Sequence, residues 1–120
     1  MQFEIESPEE GFLLLRLTGL VSIEAWEHAL HDIGKLTRPM PQDHLLINLT
    51  GLVGWLGVPE RTKIGALAAT HLAHMKKVAF VIQPEKISGV TEAQANKTGL
   101  ALRVLSSHDA AVGWLTGRAM

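Results

Sequence analysis

The sequence HLLINLTGLVGWLGV, residues 44–58, is the part of the chain around which the rest is organised. Its first half, Leu45–Leu49, is an uncharged apolar run, the pattern of a central strand buried on both faces. From Thr50 onward glycines punctuate the segment, so we predict a loop that nevertheless carries large apolar side chains. In open α/β sheets, ligands and partners bind outside the carboxyl ends of the strands. We therefore expect the working surface at this loop.

Composition narrows the classes of protein to consider. A chain of 120 residues can bury one core, and we predict a single domain over residues 1–120. The net charge of −1 gives no electrostatic footprint for nucleic acid. The absence of cysteine excludes disulfides, thiolate catalysis and zinc–cysteine sites. The sequence opens without a signal-peptide pattern and contains no run near the roughly 18 apolar residues of a membrane span, so we expect a cytoplasmic protein without an integral membrane segment.

Hydrophobic periodicity predicts strands and helices in the order ββαβαβαβα. Strict alternation over residues 2–6, a proline- and glycine-containing turn over 7–11 and an apolar arm closed by Gly19 predict an opening hairpin. Thr91 with Gln94 forms a capping-box pattern at the start of the third helix. The predicted strands are 2–6, 12–18, 45–49, 78–82 and 100–105, and the predicted helices begin at Ser22, Pro59, Thr91 and Ser107. The sequence thus predicts an α/β fold with a single-layer, mixed, mostly parallel five-stranded sheet and four helices.

Four segments together resemble SpoIIAA-like proteins of the STAS type. They are the hairpin ending in Gly19, the strand running into Asn48-Leu49-Thr50-Gly51, the strand Val78-Ala79-Phe80-Val81 and the closing helix DAAVGWL at residues 109–115. The resemblance spans nearly the whole chain. It implies the STAS fold, which is similar to the lipid-carrying SEC14 (CRAL-TRIO) fold, and through that similarity it implies an apolar ligand.

The resemblance also implies a regulatory alternative. Anti-sigma-factor antagonists of the STAS type carry an Asp-Ser-Ser-Gly-like loop after the central strand, and a partner kinase phosphorylates its serine. This chain departs from that pattern, because Asn48 stands where aspartate is usual and Thr50 is the only hydroxyl of the segment. Residues 52–59 contain neither serine nor threonine. We therefore expect no phosphoserine switch, and we expect the Thr50 hydroxyl to hydrogen-bond the turn backbone.

Chemical sites of other classes find little support in the sequence. Histidines three residues apart, as at His28 and His31, share a helical face, but no third ligand lies near them in sequence, and we predict no metal site. The glycines at 51, 54 and 57 do not match the dinucleotide fingerprint and precede no phosphate-binding lysine. No pattern gathers a nucleophile, a base and an oxyanion donor. We predict a protein that is not an enzyme and has no cofactor.

Two functions remain open for the loop and the helix that follows it. The first is a non-enzymatic module that binds or carries a small apolar or lipid-like molecule between the 59–75 helix and the sheet. The alternative is a STAS-type protein-interaction domain that meets a regulatory partner. A deep apolar cavity would favour the first, and a flat exposed apolar patch would favour the second. The candidate ligand- or partner-binding residues are Thr50, Leu52, Trp55, Leu56, Val58, Ile64, Leu67, Ala68 and His71.

Tryptophans and the apolar loop lead to two further expectations. Trp55, between glycines, either folds over the core or acts as a hinged lid on an apolar gap. Trp26 and Trp114 recur at helical spacing with aliphatic neighbours, so we expect both in the core. The surplus of large apolar groups over residues 52–58 predicts a homodimer, because a small monomer would struggle to cover them.

Overall fold

A computed structural model of the chain describes residues 1–6 and 11–117. The turn predicted at 7–11 therefore falls largely outside the described residues. The strands are β1 (Gln2–Ile5), β2 (Leu13–Leu20), β3 (His44–Val53), β4 (Lys77–Val81) and β5 (Leu102–Leu105). The helices are α1 (Ile23–Thr37), α2 (Val58–His71), α3 (Val90–Lys97) and α4 (His108–Thr116), with a 3₁₀ turn at Pro84–Lys86. The predicted order of elements is confirmed.

The strands form one five-stranded sheet in the order β1-β2-β3-β4-β5. β1 pairs antiparallel with β2, and the other neighbours are parallel. Each parallel connection runs through a helix, and α1, α2 and α3 all pack on one face of the sheet. The final helix α4 covers the other face over β3, β4 and β5. The predicted mixed, mostly parallel sheet is thus confirmed, with three helices on one side and one on the other.

Two apolar cores explain why the central strands carry no charge. On the three-helix face, alternate residues of the strands, such as Leu15 and Ile47, pack against Trp26 and Leu30 of α1. On the opposite face, the intervening residues, such as Leu46, pack against α4. A strand covered on both faces requires apolar side chains at successive positions, which is the pattern that the sequence shows.

β3 is longer than predicted, and Thr50–Val53 belong to the strand rather than to a loop. The pairing shifts from Arg16↔Asn48 to Thr18↔Gly51, so two residues of β3 face one residue of β2 in a β-bulge. Gly51 suits this close approach, because a Cβ there would lie 2.9 Å from the Thr18 Cγ2. The bulge allows pairing to continue to Val53, and the loop that remains is short.

Helix ends agree with the local signals in two places and differ in a third. Ser22 and Ser107 accept hydrogen bonds from the backbone N–H groups of Ala25 and Ala110, as expected of N-caps. The predicted capping box of α3 is wrong. That helix follows Gly89, whose φ is +79°, and the Thr91 hydroxyl instead donates to the Arg61 carbonyl at 3.0 Å. The hydroxyl joins α3 to α2 rather than capping its own helix.

Two further expectations need correction, and one is confirmed. α2 ends at His71 rather than at Met75, which is nevertheless buried in the core. Trp26 is buried as expected, with 4% of its surface exposed. Trp114 is only partly buried: it packs against the α4-side core, and the Lys77 ammonium and the Arg103 guanidinium lie 5.1 and 5.8 Å from its ring centroid. Helical spacing placed Trp114 on α4 correctly but did not fix how deeply its ring is buried.

Candidate functional site

Two neighbouring connections meet at the carboxyl ends of β3 and β4. The first is the loop between β3 and α2, and the second runs from Ile82 through the 3₁₀ turn to Gly89. Between them lies a small apolar cavity of about 80 Å³. Its lining comes from β3, β4 and β5, from the link between β2 and α1, from both connections and from three helices: Val21, Trp26, Leu49, Leu52, Gly54, Leu56, Arg61, Ile64, Phe80, Ile82, Lys86, Ile87, Ser88, Gly89, Thr91 and Val104.

Arg61 in the first turns of α2 joins the two connections. Its Nε donates to the Leu56 carbonyl at 2.9 Å, and one terminal nitrogen donates to the Lys86 carbonyl at 2.7 Å. The Lys86 ammonium reaches back to the Leu52 carbonyl at 3.3 Å. Two cationic side chains therefore satisfy three carbonyls, one at the end of β3, one in the loop after it and one in the 3₁₀ turn. They hold the mouth of the cavity in shape.

Trp55 points into solvent instead of covering the cavity. Its side chain is 62% exposed and is not part of the cavity lining. The Lys86 ammonium lies 5.4 Å and the Arg61 guanidinium 6.0 Å from the ring centroid, within the range of cation–π attraction. The expectation that Trp55 folds over the core is wrong. The ring instead contacts the same two cations that donate to the Leu52, Leu56 and Lys86 carbonyls.

Large apolar side chains are exposed mainly at this end of the sheet. Of the six exposed large apolar residues in the described part of the chain, five lie here and only Ile5 lies elsewhere. Leu20 and Val53 are neighbours in the β2–β3 register, and the others come from the two connections and the start of α2. We call these five residues the carboxyl-end patch: Leu20, Val53, Trp55, Val58 and Ile87.

A small polar network lies beside this patch. The backbone N–H and the hydroxyl of Thr50 both donate to the Asn48 Oδ1, at 2.9 and 2.7 Å. Gln83 donates from its Nε2 to the Thr50 carbonyl at 2.9 Å. The hydroxyl therefore bonds a neighbouring side chain, not the turn backbone as predicted. Asn48 serves here as the acceptor that closes the bulge.

The predicted site residues fall into four groups. Leu52, Leu56 and Ile64 line the cavity, whereas Trp55 and Val58 belong to the exposed patch. Thr50 lies in the polar network. The remaining three lie further along α2: Leu67 packs against the core, Ala68 is fully buried within it, and His71 lies at the far end of the helix, 5.5 Å from His31.

Sequence reasoning did not identify the second connection, with Lys86 and Gly89, the hydrogen bond from Thr91 to Arg61, or the role of Arg61. A signal was available, since β4 is parallel to β3 and its carboxyl end must lie at the same edge. The chain after β4 therefore had to adjoin the loop after β3. Arg61 is harder to infer, because both of its carbonyl acceptors lie outside α2.

Ionisable groups with shifted pKa values lie at the opposite end of the sheet. The hydrogen bond from His44, assisted by Lys76, lowers the pKa of Asp43, which precedes β3. Burial, assisted by Arg38, lowers the pKa of His74, which precedes β4. Within the described residues no three histidine or carboxylate side chains are placed to hold a metal ion, and no helix is long and apolar enough to cross a membrane.

Comparison with known proteins identifies the fold. No protein-family profile matches the sequence, and no curated protein matches it significantly. An anti-sigma factor antagonist from Mycobacterium paratuberculosis has a similar structure, with a TM-score of 0.64 at 17% sequence identity over 96% of this chain and 93% of that one. The anti-sigma factor antagonist SpoIIAA in its unphosphorylated form gives a TM-score of 0.60 at 12% identity, over 99% of this chain and 100% of that one. The chain therefore has the fold of the anti-sigma factor antagonists, as its resemblance to SpoIIAA-like proteins predicted.

Proposed function

We propose that this chain is a non-enzymatic regulatory domain of the STAS type that binds a protein partner through the carboxyl-end patch. The observation that carries the proposal is the concentration of exposed apolar side chains there, with Trp55 62% exposed among them. Contiguous apolar surface on a small protein marks interaction sites, and tryptophan is among the residues that contribute most to binding energy at interfaces. A cytoplasmic location is part of the proposal.

The fold supports the regulatory class. The proteins of similar structure are anti-sigma factor antagonists by name. By analogy, we propose that this chain acts by binding a protein and not by catalysing a reaction. The side chains at the carboxyl-end patch are also suited to protein binding. Arg61 and Lys86 already donate to loop carbonyls, and the side chains around them are aliphatic or aromatic. We propose a partner that offers apolar side chains to Trp55 and Val58 and an acidic group to the Arg61 and Lys86 side chains.

The lipid-carrier hypothesis has weaker support. Pockets for drug-sized ligands usually enclose about 300–1,000 Å³. The cavity under the loop, at about 80 Å³, is well below that range. A lipid tail would require the two connections to separate, and Arg61 hydrogen-bonds them together. The carboxyl-end patch exposes five large apolar side chains, so a protein partner is the better supported occupant.

The test compares two tryptophans in similar electrostatic settings. The Trp55 ring lies close to Arg61 and Lys86, and the Trp114 ring lies close to Lys77 and Arg103 on the opposite face of the sheet. Tagged wild-type protein, Trp55→Ala and Trp114→Ala are each used to capture partners from cell extract, and the captured proteins are quantified by mass spectrometry. We expect one partner to bind the wild type and Trp114→Ala equally, and Trp55→Ala to lose more than tenfold of the binding, in line with a hot-spot residue.

The same variants separate the two functions. Titration with an environment-sensitive fatty-acid probe reports ligand binding directly. Equal capture of the partner by all three proteins would contradict the proposal. Saturable probe binding by the wild type that Trp55→Ala abolishes, with no partner dependent on Trp55, would favour the lipid carrier instead.

A further inference from the structure

The two edge strands of the sheet, β1 and β5, differ in whether their outward backbone groups are hydrogen-bonded. At β5, side chains of α3 bond those groups. The Val104 N–H donates to the Glu92 Oε2 at 3.1 Å, and Asn96 donates from its Nδ2 to the Leu102 carbonyl at 2.9 Å. Glu92 and Asn96 are four residues apart and share one face of α3. Leu102 and Val104 are two residues apart and present their outward backbone groups on the same edge. The helix thus supplies the acceptor and the donor that another strand would supply.

The β1 edge has no such cover in the described part of the chain. The Glu6 N–H donates to the Leu14 carbonyl at 2.9 Å, and the register continues as Glu4↔Arg16 and Gln2↔Thr18. Hydrogen-bonded and non-hydrogen-bonded pairs alternate in an antiparallel ladder, so the backbone groups of Phe3 and Ile5 point away from β2. No described residue hydrogen-bonds those outward groups. An edge of this kind is a template for another strand.

The outward residues of β1 match a second copy of the same strand. Phe3 and Ile5 flank Glu4 symmetrically, so a two-fold axis at Glu4 sets Phe3 of one copy opposite Ile5 of the other. Their backbone groups can then exchange four hydrogen bonds, as in hydrogen-bonded pairs of an antiparallel ladder. Phe3 packs against the three-helix core and Ile5 is 40% exposed, so the pairing would extend the apolar layer across the axis.

We infer that two copies of this chain associate through antiparallel pairing of β1 with β1, which joins the two sheets into one. This inference is independent of the proposed function, because it uses the edge of the sheet and not the carboxyl-end patch. Closure of the β5 edge by Glu92 and Asn96 restricts the pairing to β1. The two-fold axis sets the apolar residues Phe3 and Ile5 opposite each other, which favours a second copy over an unrelated strand.

The charge of Glu4 at the two-fold axis makes the proposed β1–β1 pairing testable. Glu4 would face Glu4 of the second copy in a non-hydrogen-bonded pair, where side chains approach most closely. Each Glu4 lies opposite Arg16 on the neighbouring β2, which moderates the repulsion without removing it. Like charges directly opposite destabilise a strand pair. Glu4→Gln should therefore tighten the dimer by about twofold to fivefold, the reverse of what loss of an ordinary contact would do.

The experiment is sedimentation velocity of the full chain over the micromolar range. We expect a monomer–dimer equilibrium for the wild type, a tighter one for Glu4→Gln, and only monomer for Ile5→Pro. Proline suits this position, because it removes the outward N–H of Ile5 and no β1–β2 hydrogen bond. Ile5→Lys keeps every backbone group and adds an edge charge, so it serves as a second disrupting variant if Ile5→Pro unfolds. Trp55→Ala is the matched control and should dimerise like the wild type.

Amide exchange measured by NMR on the wild type gives a readout without mutation. Exchange at Phe3 and Ile5 should slow as the protein concentration rises, whereas Gln2 and Glu4, already bonded to β2, should change little. A wild type that stays monomeric, or a dimer that persists in both Ile5 variants, would overturn the inference. A dimer lost in Trp55→Ala but kept in Ile5→Pro would overturn it too and place self-association at the carboxyl-end patch.

Discussion

Replacing Arg61 with methionine should separate the two connections at the carboxyl end of the sheet. Methionine keeps the apolar stem and removes the two donors to the Leu56 and Lys86 carbonyls, which lie 2.9 and 2.7 Å away. Hydrogen bonds from a charged group contribute about 1.5–3 kcal/mol each. Because Arg61 is partly exposed and water can replace it at both carbonyls, we expect the two bonds together to contribute about 2 kcal/mol.

Urea unfolding measures this loss as a fall in the midpoint at constant m-value. Arg103→Met is the matched control, since Arg103 is exposed and lies 5.8 Å from the Trp114 ring centroid. A surface change of that kind should stay within about 0.5 kcal/mol. In Arg61→Met, amides of residues 54–57 and 84–89 should also exchange faster, while those of the central strands keep their protection. Equal losses in the two variants, or unchanged exchange in both connections, would refute the role assigned to Arg61.

Three further changes test other parts of the structure. Trp26→Ala should cost about 3–5 kcal/mol, as for a core aromatic, and Trp55→Ala about 1 kcal/mol or less; comparable urea midpoints would contradict their different burial. Gly51→Ala should cost about 1–3 kcal/mol by overpacking against Thr18, and a wild-type melting temperature would argue against the bulge. Burial lowers the pKa of His74 below its ordinary 6.5, so the unfolded chain binds more protons and stability should fall as the pH drops through 6.5. His74→Gln should flatten that dependence in unfolding measured at several pH values.

Local signals were enough to predict the order of elements. Uncharged apolar runs mark the central strands because those strands are covered on both faces, and Ser22 and Ser107 mark helix starts because their hydroxyls satisfy free backbone N–H groups. Gly117, with φ of +74°, likewise ends α4, as glycine commonly does at helix C-termini. These features depend on residues within one turn or one strand, so they can be predicted without knowledge of the fold.

Features that depend on distant partners were mispredicted. Thr50–Val53 have the composition of a loop, and only pairing with Thr18–Leu20 of β2 makes them a strand. Trp114 has aliphatic neighbours on its own helix, yet Lys77 and Arg103 come from β4 and β5 and hold its ring near the surface. The register of a sheet and the outer neighbours of a helix are set by tertiary packing, which overrides local pattern.

The candidate site was predictable in position but not in form. Parallel strands place their carboxyl ends at one edge, so the loop after β3 had to lie at the working surface. The direction of the Trp55 side chain could not follow from its glycine neighbours, because Lys86, which lies over the ring, comes from the next connection. The same glycine-flanked sequence is compatible with a Trp55 side chain that covers an apolar gap and with one that is exposed on the patch.

The position of the hydroxyls indicates how the carboxyl-end patch would be regulated. A phosphate is stabilised at a helix N-terminus, where free N–H groups point at it. α2 begins after Gly57, which has no side chain, and residues 51–61 contain neither serine nor threonine. Thr50 lies instead within β3, where its hydroxyl bonds Asn48. A phosphate there would not meet the α2 N-terminus directly, so we expect partner binding at the patch to respond to Trp55→Ala but not to phosphorylation of Thr50.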